Sequence, residues 1–130
     1  MVGSFAPILN AVSGKTEHVY IFEQNGSAGS NIISDGHIPV LLPTCDIVII
    51  AATSLINHTI EEILPCCRSA REVCIVGPST PLALDVFQKY NVNLLAGTIV
   101  TDAQRLLEII SQGGGTMSMK PATKHALVSL

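Results

Sequence analysis

The residues of this 130-residue chain with chemistry to offer are carboxylates, hydroxyls and amides that fall just beyond apolar, β-rich runs. Glu23 closes "VYIFE", Thr53 and Asn57 follow "DIVIIAA", and Gly77, Pro78, Ser79 and Thr80 follow "VCIV". Gly97 and Thr98 follow "NLLA", with Asp102 a few residues on. At "GPST" the glycine allows close backbone approach, and Ser79 and Thr80 bring hydroxyls to a helix entrance whose free N–H groups favour anions. The same turn has a purely structural reading, in which Thr80 is an N-cap and Pro81 the first helical residue, with no ligand needed.

Other chemistries lack their signatures. No lysine follows a glycine pair as a phosphate-binding P-loop requires, and Gly3-Ser4-Phe5-Ala6-Pro7-Ile8 supplies only the first glycine of a dinucleotide fingerprint. Glu23 does stand about 20 residues further on, where a Rossmann acid would hold a ribose, so a nucleotide-dependent enzyme remains the alternative reading. His18, His37, His58 and His125 show no metal-ligand spacing. Cys66 and Cys67 are adjacent, which on a helix turns them roughly 100° apart, one toward the core and one away. There is no GxSxG elbow, and no cysteine has an evident histidine and acid partner.

The elements that must position these residues follow a βαβ rhythm. Short β-rich runs occur at Val2–Phe5, His18–Phe22, Asp46–Ala51, Val73–Val76 and Asn93–Ala96. Helices are expected after Thr101, with Thr101 and Gln104 as a capping box and Ala103, Leu106, Leu107 and Ile110 on one face, and from Thr80, burying Ala83, Val86, Phe87 and Tyr90. A third is expected from Thr59, with Glu62 as its capping partner and Ile60, Ile63, Leu64 and Cys67 as its apolar stripe, kinked or shortened by Pro65. Gln24–Thr44, including "NGSAGSNIISDGHIP", reads as a long loop without a real helix. Residues 1–115 are expected to form the α/β domain, and 116–130 a tail that either adds an edge strand or stays loose.

Composition narrows the class. Hydrophobic residues make up 48% of the chain and charged ones 13%, a balance suited to strands buried on both faces. A formal charge of −3 without any Lys/Arg cluster argues against nucleic acid. The apolar run Ile47–Ala52 is far short of the ~20 residues of a membrane helix. Four cysteines without a CxxC pair read as reduced thiols of a cytoplasmic protein.

The order of motifs "VGSFAPIL", "VYIFEQN", "PTCDIVIIAATSLINHTIEEIL", "VCIVGPSTPLALDVF" and "LLAGTIVTDAQRLLEIISQGGG" closely resembles the C-terminal, Rossmann-like domain of the heavy-metal chelation family called domain of unknown function 364. The resemblance runs from about Gly3 to Gly115. It implies a domain that pairs with a smaller, enolase-like N-terminal domain, with the site between them and heavy metal as the cargo. Glu23 matches the family's carboxylate after the second strand, Thr53 and Asn57 its polar loop, Gly77–Thr80 its helix-entry turn, and Gly97 and Asp102 its final turn. Ala52 and His58 stand where glycine-like residues are common, and the chain starts directly on the first strand, without the N-terminal domain.

The expectation is therefore a three-layer α/β, Rossmann-like domain with about five mainly parallel strands. It binds a small molecule or metal complex at the carboxyl ends of the strands, through Glu23, Thr53, Asn57, Gly77, Pro78, Ser79, Thr80, Gly97 and Asp102. Glu23 and Asp102 are the candidate ligands of a divalent or heavy metal ion. A partner domain or a second copy completes the site, with neither nucleic acid nor membrane as partner; a non-catalytic subunit is a further alternative.

Overall fold

The computed structural model describes residues 1–24 and 31–130. Its strands are β1 (Ile21–Phe22), β2 (Ile32–Ile33), β3 (Ile47–Ala51), β4 (Glu72–Val76), β5 (Leu94–Val100) and β6 (Thr123–Ser129). Its α-helices are α1 (Ala6–Val12), α2 (Ile38–Leu41), α3 (Thr53–Ile56), α4 (Ile60–Ile63), α5 (Leu84–Phe87) and α6 (Ala103–Ser111). β1 pairs with β2, while β3, β4, β5 and β6 follow one another in a second run. Val2 joins the two runs, bridging in parallel to Phe22 on one side and Ile50 on the other. Its N–H donates to Ile49 O and its carbonyl accepts from Ala51 N, while Gly3 N donates to Phe22 O and Phe22 N to Met1 O.

Across the sheet the order is β2, β1, Val2, β3, β4, β5, β6, and only the last pairing is antiparallel. Chain order thus reverses between Val2 and β3, the arrangement of a doubly wound α/β fold, with its crevice at the reversal. The fold is the mainly parallel α/β, Rossmann-like class expected, with one more strand than the five runs and with the first run reduced to the Val2 bridge. Phe5 instead precedes α1, where Pro7 suits a first turn.

β-branched runs explain the centre. Val48 and Ile50 of β3, Val73 and Ile75 of β4, and Leu95 of β5 are fully buried, and they pack with Phe22, Leu42, Val92 and the α4 stripe in one cluster. Burial of each such side chain contributes about 1.5–3 kcal/mol. The α4 stripe is as the 3.6 period requires, with Ile60, Ile63, Leu64 and Cys67 all buried, and from Leu64 the helix tightens into a 3-10 turn containing Pro65.

Several local expectations are corrected. The α6 cap is Asp102, whose Oδ1 accepts from Arg105 N at 2.9 Å; Asp102 adopts the extended backbone a cap needs, and a carboxylate is the stronger acceptor beside a threonine hydroxyl. The apolar face of α6 is not buried: Leu107 is 64% and Ile110 48% exposed. Thr59 makes no capping box; its Oγ1 donates to Asn57 Oδ1. α5 begins at Leu84, not at Thr80, and of its expected inward face only Phe87 is buried, with Val86 and Tyr90 exposed. Within the Gln24–Thr44 stretch, residues 25–30 lie outside the described residues. The rest forms β2, a 3-10 turn at Asp35–His37, α2 and a second 3-10 turn at Leu42–Thr44, because Ile38 and Leu42 insert into the core and Pro39 fits a helix's first turn.

Candidate functional site

A cavity of about 580 Å³ opens where chain order reverses, at the carboxyl ends of β1, Val2 and β3. Each wall comes from a segment that leaves a strand: Gly3 after Val2, Glu23 and Gln24 after β1, Asp35 and Gly36 after β2, and Thr53, Ser54 and Asn57 after β3. Phe22, Ile38, Pro39, Ala51 and Ile63 supply apolar floor, while Thr59 and Glu62 reach in from the α4 side.

The electrostatics have one sign. Glu23, Asp35 and Glu62 line the cavity, and no Lys, Arg or His does so among the described residues. Burial, and next the charge of Glu23, raises the Asp35 pKa above the ordinary carboxylate range. Asp35 Oδ1 is closed to solvent and has no hydrogen-bond partner among the described residues. Asn57 Oδ1 accepts from both Thr59 N at 3.2 Å and Thr59 Oγ1 at 2.8 Å, which leaves the amide NH₂ as the group Asn57 can offer a ligand. Ser54 Oγ donates to Ala51 O at 2.7 Å and so ties the start of α3 to β3.

Of the residues singled out in the sequence, Glu23, Thr53 and Asn57 share this cavity. The turn after β4 is elsewhere. Gly77 takes φ +138, a conformation glycine adopts readily; its carbonyl accepts from Thr80 N at 3.0 Å, and Pro78 and Ser79 are exposed while Thr80 is buried. Gly97 is buried within β5 beneath Thr80 and Leu82. Asp102 is committed to α6 as its cap. Glu23 and Asp102 do not converge on one ion: they follow β1 and β5, four strand spacings apart, or roughly 19 Å. Asp35 and Glu62 were not legible as site residues, since Asp35 sits in a stretch read as loop and Glu62 was read as a capping partner. A signal did exist for Asp35: it follows the β-branched pair Ile32–Ile33, as Glu23 follows its own run.

A second cavity, of about 570 Å³, is lined by Lys15, His18 and Arg71 together with Glu17 and Asp46, and its charge is mixed. All four cysteines are free thiols. Burial pushes Cys67 up to about 12 and Cys74 up to about 11, so both are neutral thiols at neutral pH and poor metal ligands. Among the described residues no three His, Cys, Asp or Glu side chains come together to hold a metal ion. The described side chains therefore do not fit a bare, fully protein-coordinated metal.

Fold and cavity together define a Rossmann-like α/β domain with an acidic cavity at its topological switch point. Residues 1–129 match the family described as "Putative heavy-metal chelation", DUF364, and the chain belongs to that family. It is 27% identical over 125 residues to uncharacterized protein MJ0500 of Methanocaldococcus jannaschii, a match covering 95% of this chain and 48% of that protein. Among solved structures it is similar to a DUF364 protein of unknown function from Pyrococcus horikoshii, with a TM-score of 0.86, 24% identity and coverage of 99% of this chain and 53% of that one. A DUF364 protein of unknown function from Desulfitobacterium hafniense gives a TM-score of 0.83, 26% identity and coverage of 99% and 51%. The chain thus spans about half the length of the relatives it matches. No helix among the described residues is long and apolar enough to cross a membrane.

Proposed function

We propose that this chain is the ligand-binding domain of a heavy-metal-handling protein, and that it takes its metal as a small complex in the switch-point cavity. The observation that carries the reading is the lining: three carboxylates and, among the described residues, no base around a space of about 580 Å³. Pockets of 300–1,000 Å³ accommodate small molecules, and this one is far larger than a single ion needs. Glu23 and Asp35 supply charge for the cargo, the Asn57 amide and the Thr53 hydroxyl supply hydrogen bonds, and the remaining metal ligands arrive with the complex. A partner domain, such as the half of the relatives' length that this chain does not span, or a second copy closes the site. A reducing cytoplasm suits the four free thiols. The same lining disfavours a nucleotide, whose pyrophosphate would face Glu23, Asp35 and Glu62 without a countercharge.

Calorimetry with hexaamminecobalt(III), an inert cationic complex that can bind only through its N–H groups, tests the reading beside Co(II) alone. The expected result is tighter binding of the complex than of the bare ion, weakened at least about tenfold by Glu23→Gln and by Asp35→Asn, the effect of losing about 1.4 kcal/mol of charge-assisted bonding. Affinity for Co(II) lost only in the Cys66→Ser/Cys67→Ser variant, with the complex no tighter than the bare ion, would place the ligands on the thiols and overturn the assignment.

A further inference from the structure

Thr80 is 5% exposed, yet its Oγ1 has no hydrogen-bond partner among the described residues. Buried hydroxyls ordinarily find one. Three residues on, α5 starts after Ala83 with no side chain bonded to its free N–H groups. Between these two unsatisfied ends lies Pro81-Leu82-Ala83, none of it helical. Threonine followed by proline is a strong helix start, because the hydroxyl accepts from the first-turn N–H groups and proline has no N–H to leave unpaired. The hydroxyl that should begin this helix and the helix that lacks a beginning are one turn apart.

We infer that residues 80–83 form a strap with a second state, in which 81–83 wind onto α5 as an added turn, with Thr80 as N-cap and Pro81 as first residue. In that state Thr80 Oγ1 accepts from Leu82 or Ala83 N–H and the Thr80 carbonyl accepts from Leu84 N–H, so both loose ends are satisfied. What holds the extended state is Gly97. A Cβ on Gly97 would lie 2.9 Å from Leu82 Cδ2, 2.9 Å from Thr80 O and 3.3 Å from Thr80 Cβ, so the strap lies on β5 only because that position has no side chain. There Leu82 packs against the core cluster. The extended state thus gains the burial of Leu82 and leaves a hydroxyl orphaned; the helical state does the reverse. The strap follows β4, and a Cβ on Gly77 at its root would lie 3.4 Å from the Ala52 Cβ, beside the cavity-lining Ala51 and Thr53. The two states exist whatever the cavity binds.

Gly97→Ala tests the inference, because the added methyl excludes the extended strap while the strand backbone accepts alanine. Carbon-13 shifts of Leu82 and Ala83 in that variant should be helical, and adding Thr80→Val should return them toward coil. In the wild type, saturation-transfer NMR should find the helical state as a minor population. Thr80→Val should reduce that population roughly tenfold while raising the thermal midpoint, since it removes the cap and replaces the orphaned hydroxyl by a methyl. A folded Gly97→Ala protein whose residues 81–83 stay extended overturns the inference. If Gly97→Ala does not fold, the wild type decides: no helical minor state, or one that persists unchanged in Thr80→Val, also overturns it.

Discussion

His58 and Asn91 both hold left-handed backbone, at φ 63 and φ 66, yet the two positions are not equivalent. Asn91 Nδ2 donates to Ala70 O at 2.8 Å and Cys67 O at 3.3 Å, tying the turn before Val92 to the end of the α4 region. His58 is exposed, and its side chain makes no hydrogen bond among those of the described residues. His58→Gly should therefore stabilise the fold by up to about 1 kcal/mol, the left-handed strain relieved less the extra entropy of glycine in the unfolded chain. Asn91→Gly, with the same φ, should destabilise by about 1 kcal/mol, because two hydrogen bonds are lost. Urea denaturation of the pair separates strain from bonding. Asp35 gives a pH signature. Its folded pKa is raised, so the folded chain holds that proton more tightly than the unfolded chain does, and the residue opposes folding increasingly as pH rises from its ordinary value through its folded one. Asp35→Asn should raise the thermal midpoint at pH 7, and the advantage should vanish below the ordinary aspartate range; a constant difference at all pH values would show that the shift has no energetic weight.

Helix α6 separates caps from look-alikes. Asp102→Ala should cost about 1 kcal/mol and Thr101→Ala much less, measured by denaturation midpoint, since only Asp102 bonds the first turn. Thr101 and Asp102 are both good caps by type, and which one takes the role depends on where the chain leaves β5, a tertiary fact. Periodicity was the reliable signal where burial was continuous: the stripe Ile60, Ile63, Leu64, Cys67 and the run Val73–Ile75 of β4 face the core as written, whereas in β3 Val48 and Ile50 are buried and Ile47 is 50% exposed. It misled on α6, whose apolar residues are as regular but none of which is buried. Helix α1 was missed because Phe5 is no cap and no acid stands in the first turn. At the cavity, Glu23, Thr53 and Asn57 could be singled out because each follows a strand that composition reveals. Asp35 enters it from a two-residue strand too short to leave a period, while Glu62 lies on a helix whose stripe is plain in the sequence but where a capping role already accounts for the carboxylate.

The molecule's two runs of sheet meet at a single residue. Val2 exchanges backbone bonds with β3 through Ile49 and Ala51, and its neighbours Met1 and Gly3 bond β1 through Phe22, four bonds in all. By comparison, β3 and β4 are in register over five residue pairs and β5 and β6 over seven. Opening that join breaks far fewer bonds than parting β3 from β4, so the amides of Val2, Gly3, Phe22 and Ala51 should exchange with deuterium as one cooperative set, ahead of Cys74 and Ile75 in β4. The cavity straddles the same join, with Glu23 and Asp35 on one bank and Thr53 and Asn57 on the other. A ligand that touches both banks therefore acts as a clasp. Its occupancy can be read as slowed deuterium uptake at those four amides, without knowing the ligand's identity and without any assay of activity.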